Sequence, residues 1–255
     1  MTLLRPWQWP SRITERLRRQ ALWAYAAAFA IVNVLIFCLP GAQAQSAGGA
    51  TATGKPSQTL KILALGDSLT AGYNLPNGQS VPDHLARLLA SSPVIRDNHL
   101  TVAMTNGGLS GDTSAGGLAR LDWMLTDRPD LVIIELGAND ALRGLSPDDT
   151  RLNLIAIIQT LQDAKIGILL TGMLAPPNVY SKDDMTEFNG IYPELAAEFG
   201  VQLYPFFLEG VAGNPALLQK DGMHPTEKGT EEIARRLLPD VEKAVQDVID
   251  QRGKS

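Results

Sequence analysis

A hydroxyl, a carboxylate, an imidazole and a carboxamide stand in turn-like settings along this chain. Ser68 lies in Gly66-Asp67-Ser68-Leu69, directly after the apolar run Leu60–Leu65. Asp221 precedes His224 by three residues in Asp221-Gly222-Met223-His224-Pro225. Asn139 lies in Gly137-Ala138-Asn139-Asp140, and a glycine-rich stretch runs from Asn106 to Asp112. Acyl transfer needs a nucleophile, a base oriented by an acid, and donors for a developing oxyanion. Asp and His separated by a glycine and followed by a proline can fold back on one another, so that the carboxylate fixes the imidazole tautomer.

These segments matter only if the fold brings them together. Strand-length apolar runs occur at Leu60–Leu65, Leu100–Thr105, Leu131–Leu136, Ile166–Thr171 and Val201–Tyr204. Most lack period-two alternation, as expected of strands buried on both faces of a parallel sheet. Amphipathic patterns at Pro82–Leu89 and Gly117–Leu125 read as helices between them. Ser146-Pro147-Asp148-Asp149 is a helix start leading into Leu152–Leu161, and Ser181 opens a helix ending at Gly200. The last helix begins at Thr226-Glu227, with a break expected at Pro239. Alternating strands and helices predict one α/β domain built on a doubly wound, five-stranded parallel sheet. Such sheets bind ligands beyond the carboxyl ends of their strands, where all four segments fall.

The motifs GDSLTAGY (66–73), GGLSGDTSAGGLARL (107–121), IELGANDALRG (134–144), IYPELAAEFGV (191–201) and DGMHP (221–225) resemble those of the GDSL/SGNH hydrolases. Within that family, the chain is most similar to the bacterial periplasmic arylesterase, thioesterase and lysophospholipase subgroup. The resemblance covers Leu60 to about Leu238 and implies a three-layer α/β/α fold around a flavodoxin-like parallel sheet of order 2-1-3-4-5. It implies Ser68 as nucleophile, His224 as general base and Asp221 as the acid orienting it. It also implies an oxyanion hole made by the backbone N–H groups of Ser68 and Gly111 and the side-chain amide of Asn139.

Each residue has a plainer role to be weighed against these. Ser68 could cap a helix, Gly111 could serve only a turn, and Asn139 could form an Asx turn. His84, within an amphipathic helix, and His99, beside Asn98 at a strand start, read as surface residues. Asp67 and Asp140 read as loop-holding acceptors. Leu109, Met173, Leu174, Pro176 and Tyr180 are candidates to line an acyl pocket, four of them in the apolar stretch after the fourth strand.

Several classes are disfavoured. Net charge is −5, which argues against nucleic acid as a partner. No G-x-G-x-x-G follows the first strand and no G-x-x-x-x-G-K-[ST] occurs, so a nucleotide site is not expected. One plausible active-site His without H-x-H or H-E-x-x-H spacing disfavours a metal, and no cofactor is expected. A binding module that has lost its chemistry would commonly lack the nucleophile or the base. The expected activity is hydrolysis of aryl or short-to-medium acyl esters, with thioesters and lysophospholipids as further substrates. The alternative is a carbohydrate O-deacetylase with the same blocks.

The amino-terminal region carries Arg5, Arg12, Arg16, Arg18 and Arg19, then an apolar run from Ala21 to Leu39, Pro40-Gly41 and Ala42-Gln43-Ala44. That order predicts a signal peptide over 1–44, cleaved after Ala44, and a periplasmic or secreted enzyme. The rival reading is an uncleaved membrane anchor, since about twenty apolar residues can span a bilayer. Cleavage would remove Cys38, the only cysteine, excluding disulfides and thiol chemistry. Residues 45–59, rich in Ala, Gly, Ser and Thr, read as a flexible linker, and 60–255 as the catalytic domain, expected to be monomeric.

Overall fold

A computed structural model describes residues 58–176 and 179–253, so the expected signal peptide and most of the expected linker lie outside the described residues. Five strands, β1 Gln58–Gly66, β2 Leu100–Gly108, β3 Leu131–Glu135, β4 Gly167–Thr171 and β5 Gln202–Tyr204, form one parallel sheet of order β2-β1-β3-β4-β5. Sheet type and order follow the expectation.

The central strands are apolar because both faces are covered. Leu131, Val132, Ile133 and Ile134 are all buried, as are Ile62, Leu63, Ala64 and Leu65. Each large aliphatic side chain taken from water in this way contributes about 1.5–3 kcal/mol before chain entropy is subtracted. Helices α1 Ser68–Ala71, α2 Val81–Ala90 and α3 Pro93–Asp97 lie between β1 and β2. Between β2 and β3 run α4 Ser114–Ala119 and α5 Leu121–Met124, and between β3 and β4 run α6 Ala138–Leu142 and α7 Pro147–Asp163. Helix α8 Lys182–Phe199 precedes β5, and α9 Glu227–Arg252 closes the fold. One helical layer pairs α9 with α2 and the other packs α7 against α4 and α8.

Four expectations need correction. Strand β1 starts two residues before Leu60: Gln58 and Thr59 pair with Leu100 and Thr101, taking the end of the expected linker into the sheet. Strand β2 runs on through Asn106-Gly107-Gly108, and as an edge strand it alternates between exposed and half-buried residues over much of its length. The helix expected over Gly117–Leu125 is two short helices broken at Arg120, whose guanidinium turns to Asp112 and the Gly66 carbonyl. Pro239 does not break α9. It lies on the exposed side, while Ile233, Ala234 and Leu237 before it and Val241, Ala244 and Val245 after it share one buried face. That continuous burial outweighs the missing backbone hydrogen bond.

Candidate active site

The site is assembled at the carboxyl edge of the sheet, beginning where β1 ends. Gly66 has no room for a side chain: a Cβ there would stand 2.1 Å from Thr70 Oγ1 and 2.8 Å from the Glu135 carbonyl oxygen. The chain therefore turns tightly from strand into α1. Asp67, not Ser68, caps that helix, its Oδ1 accepting the Leu69 N–H at 2.9 Å. Ser68 is left half-buried with its hydroxyl free to face another element.

That element is the loop before α9. Asp221 Oδ1 accepts the backbone N–H groups of Met223 (2.9 Å) and His224 (3.0 Å), closing the turn expected from the spacing. Gly222 at its centre has φ +71°, a conformation that suits glycine. Asp221 Oδ2 lies 2.7 Å from His224 Nδ1, and His224 Nε2 lies 2.9 Å from Ser68 Oγ. The contact with Nδ1 sets the tautomer: Nδ1 carries the proton and Nε2 accepts from the serine. The two backbone donors and the ring hold the Asp221 carboxyl down at about 2. Tyr73, at the end of the first motif, packs its ring 4.5 Å from that of His224. The two ends of this loop are tied together as Gln219 N–H donates to the His224 carbonyl at 2.7 Å.

The expected donor group is held by other long-range contacts. Asn139, in α6, donates from Nδ2 to Asp67 Oδ2 at 3.0 Å, so its amide is oriented by the residue preceding Ser68. It therefore serves no local Asx turn. Gly111 has φ +86°, and its carbonyl accepts from Arg143 Nη2 at 2.7 Å. Arg120 joins Asp112, at 2.6 Å, to the Gly66 carbonyl, at 2.9 Å. Asp140 accepts from the Ser114 N–H and hydroxyl and from Thr150, binding α6 to α4 and α7. The loop-holding expectation for Asp67 and Asp140 describes both.

The expected acyl wall is divided. Leu109 and Leu174 are exposed, at 53% and 49%, whereas Met173 is only 4% exposed and belongs to the core. Pro176 is half-buried. Tyr180 stacks on Phe188 and donates to the Leu145 carbonyl at 2.7 Å, so its hydroxyl ties the loop to the segment between α6 and α7. Of the other histidines, His99 is exposed, but His84 is half-buried, its Nδ1 beside Arg87 and its Nε2 shut off from solvent. Arg120, Arg143, Tyr73 and Glu135 lie inside the motifs recognised in the sequence. Their spacing carried no signal of what they touch, because each partner is on another element.

A fold of this order with a serine, histidine and aspartate at its carboxyl edge defines an α/β hydrolytic class. Residues 64–231 match the GDSL-like lipase/acylhydrolase family model, and the chain belongs to that family. It is 41% identical over 193 residues to a protein named arylesterase from Vibrio mimicus, covering 75% of this chain and 86% of that one. It is 40% identical over 165 residues to the Escherichia coli K12 protein named thioesterase 1/protease 1/lysophospholipase L1, covering 64% and 74%. Among solved structures it is similar to AlinE4, described as an SGNH-hydrolase family esterase. That similarity is 46% identity and a TM-score of 0.59 over 74% of this chain and 98% of the other.

Proposed function

We infer that the protein is a carboxylic ester hydrolase acting through an acyl-enzyme at Ser68. The observation that carries this reading is the unbroken relay Asp221–His224–Ser68, with contacts of 2.7 and 2.9 Å. The ester hydrolases among its relatives support the same reaction class.

His224 Nε2 takes the Ser68 hydroxyl proton as Oγ adds to the ester carbonyl. The anion that forms on the carbonyl oxygen is received by the Ser68 and Gly111 N–H groups and the Asn139 amide. Asp221, anionic far below neutral pH, stabilises the imidazolium. That imidazolium then protonates the leaving alcohol or thiol as the tetrahedral species collapses. Water, deprotonated by the same ring, releases the acid and restores Ser68. Leu109 and Leu174, the exposed aliphatic candidates beside this edge, support an aryl or short-to-medium acyl group over a sugar. The lysophospholipase and thioesterase names borne by a relative support lysophospholipids and thioesters as further substrates.

The order of basic, apolar and Ala-x-Ala segments supports removal of residues 1–44 and work in the periplasm, where cytosolic acyl-CoA is not met. Among the described residues no helix is long and apolar enough to cross a membrane. The mature protein should begin near Gln45; an intact amino terminus on the exported protein would replace this reading by a membrane anchor.

The decisive experiment pairs Ser68→Ala with a fluorophosphonate. The variant should lose p-nitrophenyl ester turnover with an unchanged circular dichroism spectrum, and the reagent should add its mass to the peptide containing Ser68. Turnover retained by the variant would remove Ser68 from the chemistry.

A further inference from the structure

Beneath Ser68 two acidic side chains meet in the interior. Asp67 is 0% exposed and Glu135, the last residue of β3, is 1% exposed; they come together because Gly66 pairs with Glu135 across the sheet. Glu135 Oε2 accepts from Thr70 Oγ1 at 2.8 Å and from the Asp67 N–H at 3.3 Å, bracing both ends of the turn that carries Ser68. The two buried carboxyl groups also perturb each other's ionisation. Two buried anions side by side repel, and neither has a hydrogen to donate, so one proton held by the pair relieves the charge and supplies a donor.

The remaining atoms say which group keeps it. Both Asp67 oxygens receive N–H donors, from Leu69 and from Asn139, and such bonds favour an anion. Glu135 Oε1 is buried and meets no donor among the described residues. As a bare anionic oxygen it would be left without solvation, which is costly; as an O–H it donates. Burial, and after it the Asp67 charge, pushes Glu135 well above the ordinary carboxylate range, whereas Asp67 is pushed up to about 6, chiefly by burial.

We propose that protonated Glu135 and anionic Asp67 form a positioning pair in which Glu135 donates to Asp67, and Asp67 in turn fixes the Asn139 amide. One Asn139 N–H is spent on Asp67, which leaves the other aimed by it for the developing oxyanion. The catalytic part of this proposal rests on the reading of Asn139 given above; the protonation part does not.

Gln in place of Glu135 reproduces the protonated pattern, with an N–H donor toward Asp67 and an oxygen for Thr70 and the Asp67 N–H. Asn in place of Asp67 does not, because donors from Glu135, Leu69 and Asn139 would converge on one acceptor oxygen. At neutral pH the infrared difference between wild type and Glu135→Gln should contain the carbonyl stretch of a protonated carboxyl group, shifted in D2O. Glu135→Gln should keep kcat within about threefold. Glu135→Leu and Asp67→Asn should lose about ten- to a hundredfold in kcat with KM nearly unchanged, the size of effect expected from a displaced catalytic group. The Asp67→Asn loss should also be far from additive with that of Asn139→Ala. An absent protonated-carboxyl band in the wild-type protein, a Gln variant as impaired as the Leu variant, or strict additivity would overturn the proposal. The infrared result needs no turnover, so it stands apart from the assignment of Ser68.

Discussion

The Asn139 amide is held at 3.0 Å by Asp67, a residue 72 positions away that is also the cap of the helix carrying Ser68. The turn that carries Ser68 and the Asn139 amide are therefore set by one buried carboxylate. Asn139→Ala should remove a donor used mainly in the transition state, lowering kcat by about 10²–10³-fold with little change in KM. Steady-state kinetics on a p-nitrophenyl ester measure this directly, and a change confined to KM would reassign Asn139 to ground-state binding.

Asp221→Asn should cost catalysis without undoing the turn. The Asn oxygen can still accept from Met223 and His224, but its NH2 faces Nδ1 and favours the wrong tautomer. A loss approaching 10⁴ in kcat is expected, as in triads elsewhere.

The same carboxylate sets a pH dependence of stability. Folding lowers Asp221 from an ordinary 3.8 to about 2, so its contribution is present above pH 4 and lost as pH falls toward 2. Wild type should therefore lose stability relative to Asp221→Asn across that window. Parallel thermal unfolding of both proteins at several acid pH values tests the sign.

Arg143→Ala should separate placement from stability. The side chain is exposed, and its bond to the Gly111 carbonyl is a single surface contact, so unfolding free energy should change by about 1 kcal/mol or less. Turnover should fall about three- to tenfold, because the Gly111 peptide loses its anchor. A fall in stability with unchanged kcat would show that Arg143 serves only the loop.

Gly66→Ala should destabilise the protein by about 3 kcal/mol or more, since overpacking a rigid core site strains its backbone. Adding Thr70→Ala should not restore stability, because the Glu135 carbonyl oxygen lies 2.8 Å from the new methyl. Chemical denaturation of the single and double variants measures both.

Pro239→Ala should stabilise. A mid-helix proline costs about 3 kcal/mol relative to alanine, and its restriction of the unfolded chain returns up to about 1 kcal/mol. A gain of about 2 kcal/mol in denaturant unfolding is expected; a loss would mean that the proline ring aids the packing of α9.

Much of this architecture was legible because it depends on near neighbours. The strands read from Leu60–Leu65 and Leu131–Leu136 fell within a residue or two of their observed ends, since burial on both faces forces continuous apolar runs. The starts of α7, α8 and α9 were signalled at Ser146, Ser181 and Thr226, although the Ser146 side chain makes no capping bond. Pro239 and Arg120 misled because each local preference was overruled by a distant partner: a buried helix face in one case, and Asp112 with the Gly66 carbonyl in the other.

The sequence by itself determined the Asp221–His224 turn, whose carboxylate, glycine and imidazole are close along the chain, and the strand that delivers Ser68. Only the tertiary structure decided that His224, 156 residues from Ser68, stands 2.9 Å from its hydroxyl. Likewise it alone joined Glu135 to Asp67, Asp67 to Asn139 and Arg143 to Gly111. Local contacts are set by chain spacing and backbone geometry, which a motif records. Contacts between strand ends depend on which strands lie side by side, and that is settled when β3 crosses over to pair with β1.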